Sequence, residues 1–557
     1  MQRILIDVEK KEIKEIIIEL EAGKYVLPSF QRQYVWDEDD IKDLIDSIIN
    51  NYPIGTIILW KPSHLSLVDI DPFSKPLIDT PNSKLSEAFY VIDGQQRLTS
   101  LLLLFKDWQI SRGGEIIKCE VPISYNPTNK RFYKSRTRGI NLSDLIKAFW
   151  LRDKKTLRKL MDETPDEQFE DMKEKVNRIL DYKLPIYIMK TFEEDDRTFL
   201  SMAEAFIRVN KYGVRIGNLE LMLSFLAGAI SGELKEKIHE LYGNLYDSFE
   251  VELQPVIRFT FSNFGLRQTQ ISRVNQFRTN IEKVKNLPRS DIITIFKTCN
   301  KSMGLTIELL KRELGLSNSR LLPSQIPLVT ISTYFYYKGV NDLDELKGSD
   351  IRNIINWFVL TSFNGYYSSA TDTKLDEDLN VVKNVDAFPT NELFNNMRKR
   401  KAKIKISKED FRRGLTINVL RREGRAYLFM LYILLVKKNA DDWNGKLLVQ
   451  TPLNQLAKHH IFPKEYLEKG LRIDDPDERE SLINNLGNVT FIHKYVNSEI
   501  ADEPPFKYLG GYAGSLAKHF IPIDKSLWKI EQYQTFLEYR IMEIYSTGKE
   551  TFGEIFE

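Results

Sequence analysis

Apolar and polar positions follow two different rhythms along this chain. In DEDDIKDLIDSIINN (37–51), Ile41, Leu44, Ile45, Ile48 and Ile49 recur at three- and four-residue spacing. That spacing predicts an amphipathic helix, with Asp37 or an adjacent acid as its cap. TIILW (56–60), FYVID (89–93) and LPIYIM (184–189) are short β-branched or aromatic runs bounded by turn residues, which predicts buried strands. FYVID leads through GQQR into the helical run LTSLLLLFKDW (98–108), so Asp93 to Arg97 are expected on a strand-to-helix turn. From about 231 to 390 the spacing is mostly helical. These shifts predict an α+β multidomain chain: an α/β segment over 1–230, a helical segment over 231–390, a basic linker over 391–425 and a C-terminal domain over 426–557.

Composition narrows this picture. At roughly 150 residues per domain, 557 residues imply three or four folding units. Lys and Arg number 80 against 78 Asp and Glu, so contact with a polyanion must come from local patches. Between 391 and 440 there are 14 cations and 4 acids, the largest local excess. NKRFYKSRTR (129–138) and RFTFSNFGLRQTQISRVNQFR (258–278) are two further acid-free basic stretches. The second mixes Arg with Phe in a way that suits a displaced base, although its Phe residues suit a core better. Cys119 and Cys299 form no CxxC pair, which excludes a disulfide scaffold and a thiolate zinc cluster. Charges interrupt the first apolar stretch, and the runs Leu98 to Phe105 and Tyr427 to Val436 fall far short of the ~20 residues a membrane span needs. No membrane association and a cytoplasmic location are therefore expected.

Two constellations carry chemistry. At the first, a strand-to-helix turn aims backbone N–H groups at whatever lies over the helix start, which favours phosphate. Gly94 permits close approach, Arg97 can clamp phosphate oxygens, Asp93 can hold a metal or orient water, and Gln95 and Gln96 add neutral donors and acceptors. Upstream, Gln31 and Arg32 add a second cation, and Tyr34 and Trp36 add ring faces suited to a base or sugar. A capped helix with Arg97 paired to Asp93 explains the same residues without a ligand. No GxxxxGK[ST] loop is present.

The second is KHHIFPKEYL (458–467), followed by NNLGNVTFIHKYVNSEI (484–500). Imidazole serves as a metal ligand or as a general base near neutral pH. A one-metal phosphodiesterase needs a base, one or two ligands and a residue that orients the base. His460, Asn488 and Asn497 lie within about 40 residues, compact enough for one strand–loop–strand–helix unit. An isolated His459–His460 pair is otherwise a surface or capping feature.

LPSFQRQYVW (27–36), PIGTIILW (53–60) and VIDGQQRLTSLLLLF (91–105) resemble the N-terminal domain of GmrSD-type modification-dependent restriction endonucleases, which is similar to the ParB/sulfiredoxin nucleotide-binding fold. FIRVNKYGVRIGNLELMLS (206–224) resembles a further family pattern, with Arg208, Asn210, Gly213 and Glu220 at its marked positions and Ile216 where Leu is usual. GYYSSATDTKLDEDL (365–379) is similar to a third block. The order around His460 resembles the HNH, or ββα-metal, nuclease motif. The resemblance implies an NTP (GTP, ATP or UTP) bound and hydrolysed at Gln31, Arg32, Tyr34, Trp36, Asp93, Gly94, Gln95, Gln96, Arg97, Arg208 and Asn210, Asp93 and Arg97 being catalytic. It implies His460 as the base, Asn488 as its orienter, and His459 with Asn497 on a divalent ion, Mg²⁺ or Mn²⁺. His459 stands where an acid is common, which weakens the hold on a hard cation. Bracing of the turn at Gly213 remains an alternative role for Arg208 and Asn210. The implied function is NTP-regulated cleavage of modified phage DNA in defence, with two copies needed to cut both strands if each nicks one. A nucleotide-switched DNA-binding regulator with a degenerate HNH domain is the alternative. A sulfiredoxin-like enzyme is disfavoured because neither cysteine lies in the DGQQR turn.

Overall fold

The computed structural model describes residues 5–28, 34–61, 75–80, 88–190, 219, 222, 233–273, 276–471 and 475–557. Gln31, Arg32, Arg208 and Asn210 lie outside the described residues. The chain divides into two compact units. One comprises Met1–Lys235 with Val274–Lys285, and the other Glu236–Arg273 with Asn286–Glu557.

In the first unit, six described strands form one mixed sheet: β1 (Leu5–Glu12), β2 (Tyr25–Leu27), β3 (Ile57–Lys61), β4 (Lys75–Pro76), β5 (Phe89–Asp93) and β6 (Lys183–Lys190). Their spatial order is β1-β6-β3-β5-β2-β4. β3 runs antiparallel to β5 and parallel to β6. Helix α1 (Ile13–Glu21), α2 (Glu38–Ile49) and α3 (Gln95–Phe105) contribute apolar faces to one core with this sheet. α2 buries the five residues its spacing marked. Its start is a reciprocal cap: the Asp37 carboxylate accepts from the N–H of Asp39 and Asp40, and Asp40 accepts from the N–H of Asp37. Trp60 of β3 and Tyr90 of β5 stack across the strand pair at 5.2 Å.

The second unit is mostly helical. α4 (Arg289–Leu314), α5 (Pro327–Lys338), α6 (Gly348–Phe363), α7 (Arg425–Lys437) and α10 (Tyr533–Phe552) build it, together with a hairpin of β7 (Leu456–His460) and β8 (Val489–His493). α8 (Pro476–Ile483) lies in the connection between these strands, and α9 (Lys494–Ile500) follows β8 directly. α7 buries Leu428 to Leu435 on all sides, as a helix at the centre of a unit must. The motif GYYSSATDTKLDEDL braces this helical part. Asp372 pairs with buried Arg258 at 2.7 Å, Asp376 accepts from the N–H of Gln268 and Thr269, and Asp378 accepts from Tyr367 and Asn396. Burial pushes the Asp378 carboxyl up to about 6.

Two expectations change. The stretch 391–425 is no free linker: it buries Leu393, Met397, Ile406, Phe411 and Val419, and Phe411 stacks on Phe363 at 5.4 Å. Its charges sit on the outside of folded turns; Arg412 pairs with Glu538 and Arg421 with Glu480. In 258–278, Phe259, Phe261 and Phe264 are core, as their type favoured, but Arg258 is also buried, against Asp372, so these side chains offer no surface to a displaced base.

Beneath the hairpin, Arg540 of α10 is fully buried. It donates to the carbonyls of Gly487 (2.6 Å), Val489 (3.1 Å) and His519 (3.0 Å), and desolvation lowers its guanidinium to about 9. Arg540→Met leaves three buried carbonyls without this donor. Chemical denaturation of the chain is expected to show the second unit destabilised by about 3 kcal/mol.

Candidate functional site

In the first unit, Tyr34, Trp36, Asp93, Gly94, Gln95, Gln96 and Arg97 come together around the start of α3. Gly94 ends β5 with φ 102°, and a Cβ there would run into the Ile57 side chain, so the turn requires glycine. The Gln96 side-chain oxygen accepts from the N–H of Val35 (3.0 Å) and of Trp36 (3.3 Å), tying the YVW segment to the helix. The Tyr34 hydroxyl pairs with Ser100 at 2.9 Å, and burial pushes it up to about 12. Both rings also pack on the apolar core. Arg97 donates to Asp93 Oδ2 and to the carbonyl of Ile54, each at 2.8 Å. A Cβ on Gly55 would sit 2.5 Å from Arg97 Nη1, so the loop before β3 closes on the guanidinium. The helix-bracing pair is thus present, and it occupies two of the five guanidinium donors.

In the second unit, β7 and β8 pair antiparallel, with His459 opposite Thr490 and His460 opposite Val489. Successive strand residues point to opposite faces. His459 is turned toward α9 and is almost fully buried; His460 is turned toward Asn484 and is half-buried. The tautomer of His459 follows from Tyr508. That hydroxyl donates to the carbonyl of Ile461 (2.7 Å), so it accepts from His459 Nε2–H (2.9 Å). The lone pair on Nδ1 then faces the Asn497 amide, whose Oδ1 lies 2.9 Å away. Without a cation, the amide must present its NH₂ to Nδ1. With its oxygen turned inward, two lone pairs converge at 2.9 Å. That spacing fits the edge of an octahedron with ~2.1 Å arms, about 3.0 Å. Desolvation lowers His459 to about 4 and keeps it neutral, as a ligand must be. The donors fit a weakly held divalent ion that keeps several waters. Among the described residues no cluster of three His, Cys, Asp or Glu offers a tighter site.

His460 Nε2 meets Asn484 Oδ1 at 2.7 Å. This bond fixes the proton on Nε2 and leaves the Nδ1 lone pair as the basic atom. Burial first, and Lys464 to a lesser degree, lower the ring below its ordinary value. Asn488, expected to orient His460, does something else. It is fully buried, it accepts from the N–H of Phe462 (2.8 Å), and it donates to the carbonyls of Phe462 (3.0 Å) and Ile483 (2.9 Å). It therefore fixes the loop behind the strand, and the amide that touches His460 is that of Asn484. The sequence signal for Asn484 was its place in NNLGN, four residues before Asn488 at the end of α8. His493 caps α9, accepting from the N–H of Tyr495. His519 bridges Thr490 Oγ1 and the carbonyl of Asp441, each at 2.8 Å.

Desolvation also lowers His519 to about 4. Above pH ~6.5 the ring is neutral both folded and unfolded, and its contribution to stability is complete. As pH falls from about 6.5 to about 4, only the unfolded chain takes up the proton, so stability declines. A pH series of denaturation curves is expected to show this loss in the second unit, on the order of 3 kcal/mol from His519. His519→Gln should flatten the slope in that window.

Residues 13–227 match the family model for the N-terminal domain of GmrSD restriction endonucleases, and residues 405–534 match the model for the C-terminal domain of the same family. The uncharacterized protein MJ0686 of Methanocaldococcus jannaschii is 22% identical over 554 residues, covering 90% of this chain and 86% of its own length.

Proposed function

The chain belongs to the GmrSD family of restriction endonucleases, and from that membership we propose an NTP-regulated DNA endonuclease that cuts modified phage DNA by HNH chemistry. DNA as substrate follows from the family, and among the described residues no helix is long and apolar enough to cross a membrane. The observation that carries the finer reading is the hairpin itself. A neutral histidine with one nitrogen fixed by Asn484 stands next in sequence to a two-donor pair spaced for one cation.

His460 Nδ1 takes a proton from a water, the water oxygen attacks phosphorus, and the P–O bond to the leaving sugar oxygen breaks, that oxygen taking a proton from solvent. Asn484 holds the ring in the tautomer that this transfer needs. His459 and Asn497 would hold Mg²⁺ or Mn²⁺, which when bound neutralises charge at the scissile phosphate. Asn488 keeps the loop after His460 in register with β8. In the first unit, Tyr34, Trp36, Asp93, Gly94, Gln95, Gln96 and Arg97 bind the NTP, with Gln31, Arg32, Arg208 and Asn210 completing the site. Asp93 and Arg97 carry its hydrolysis, and Arg97 must then exchange or share its bond to Asp93. Two copies act together for a double-strand break. The two neutral donors at the ion site favour one second reading, a nucleotide-switched DNA-binding regulator whose hairpin no longer cuts.

Cleavage of plain and modified phage DNA, with Mg²⁺ or Mn²⁺ and with or without each NTP, separates these readings. NTP-sensitive cutting of one modified DNA is expected. No cutting under any condition, with NTP binding intact, would establish the regulator. His460→Ala should abolish cutting while NTP hydrolysis survives, and equal cutting by variant and parent would remove the HNH assignment. Asn484→Ala should slow cutting roughly 10²-fold without loss of DNA binding. Because His460 must be unprotonated, the rate should fall as pH drops through a value below the ordinary 6.5 for histidine. Arg97→Ala should remove NTP turnover, and undiminished turnover would place the nucleotide elsewhere.

A further inference from the structure

A cavity of about 360 Å³ opens in the second unit beside the strand that carries His460. Five of its nine lining residues are cations, Arg320, Arg421, Arg422, Arg425 and Lys458, and none is an acid. Glu250 holds Arg320 at 2.5 Å and Glu480 holds Arg421 at 2.5 Å, which fixes two of the side chains in place. Among the described residues, Arg422, Arg425 and Lys458 have no acidic partner within ion-pair distance. All five cations are exposed, and Leu428 is among the apolar residues of the wall. Three cations without an acidic partner among the described residues leave the cavity positively charged, which favours an anion.

The cavity is tied to the cutting residues in two ways. Lys458 and His460 lie two apart on β7 and face the same side, roughly 7 Å along the strand. The loop carrying Arg421 and Arg422 is fixed by the Val419 N–H, which donates to the carbonyl of Asn484 at 2.8 Å. The side chain of that same Asn484 meets His460. Glu480, at the opposite end of the contact, accepts from both Asn418 and Arg421. Gly424 allows the backbone before Arg425 to pack closely on Val419, since a Cβ there would run into the Val419 backbone.

We propose that this cavity receives a backbone phosphate of the DNA strand being cut, near the scissile bond, and so sets the strand's register over His460. The proposal rests on the reading of the chain as a DNA endonuclease. Neighbouring phosphates of one strand lie close enough for one to fill the cavity while another reaches the base. The spread of five cations over a loop, a helix start and a strand suits a chain of phosphates better than one compact group.

The test is anisotropy of a short fluorescein-labelled duplex over a salt series, using the full chain with His460→Ala so that nothing is cut. The comparison is the same chain with Arg422→Ala, Arg425→Ala and Lys458→Ala added. The triple variant is expected to bind at least about tenfold more weakly, and its slope of log affinity against log salt should fall by roughly 2–3. Arg425→Gln alone, a gentler change at an exposed site, should lower that slope by about 1. ATP, GTP and UTP binding should be unchanged in both. Parental affinity and slope in these variants would overturn the proposal, and the His460→Ala cleavage assay would still stand as the separate test of the endonuclease reading. Loss of NTP binding with duplex binding intact would assign the cavity to a free nucleotide and overturn it as well. A parent chain that binds no duplex at all overturns both readings.

Discussion

One buried cation supports the hairpin from beneath. Arg540 has no carboxylate partner among its described contacts; three main-chain carbonyls take its place. An ion pair would have held it by charge, whereas carbonyl acceptors hold it by direction, so the backbone at Gly487, Val489 and His519 must stay where the guanidinium reaches it. His519, fixed in this way, bonds Thr490 opposite His459. Asn488, between two of the carbonyls, fixes the loop that follows His460. One side chain in α10 thus holds the backbone of His519 and of β8, the strand with which both histidines pair. Desolvation then lowers both rings and favours neutral imidazole.

The first unit uses the same economy of parts at its own turn. Arg97 joins Asp93 to the loop before β3, and Gln96 joins the helix start to Val35 and Trp36. Structural bracing does not exclude ligand capture here. A guanidinium already oriented by two bonds loses less freedom when a phosphate arrives than one that swings in solvent.

Much of this was legible in the sequence where the cause is local. The helix over 38–49 follows from its own cap and its own apolar spacing. The strand-to-helix turn at Asp93–Arg97 follows from a β-branched run meeting Gly94. The order His460, Asn488, Asn497 marked the strand–loop–strand–helix unit. What was not legible depends on distance in the chain. NNLGN contains three asparagines, and only the path of α8 decides that Asn484 meets His460 while Asn488 turns into the loop. Arg540 stands some 50 residues beyond the carbonyls of Gly487 and Val489, with no pattern around it. The division at 391–425 misled because charge is easy to count and burial is not: Ile406, Phe411 and Val419 are spaced too irregularly to announce a core. The Phe residues of 258–264 are core, as their type favoured; what the sequence did not reveal is that Arg258 beside them is buried too.

The contact between residue 406 and the chain's last turns has a consequence for how such proteins can be recombined. Ile406 N–H donates to the carbonyl of Ile555, Glu557 N–H donates to the carbonyl of Ile406, and Phe411 packs between Phe363 and Phe556. The hairpin and the helices therefore share one interior rather than meeting at a seam. A fragment beginning at residue 426 would carry the whole β7–β8 hairpin but lose Ile406 and Phe411, which pair with and pack on the last turns. A swap of the hairpin between relatives would therefore have to carry residues 406–425 and the helix of Phe363 with it.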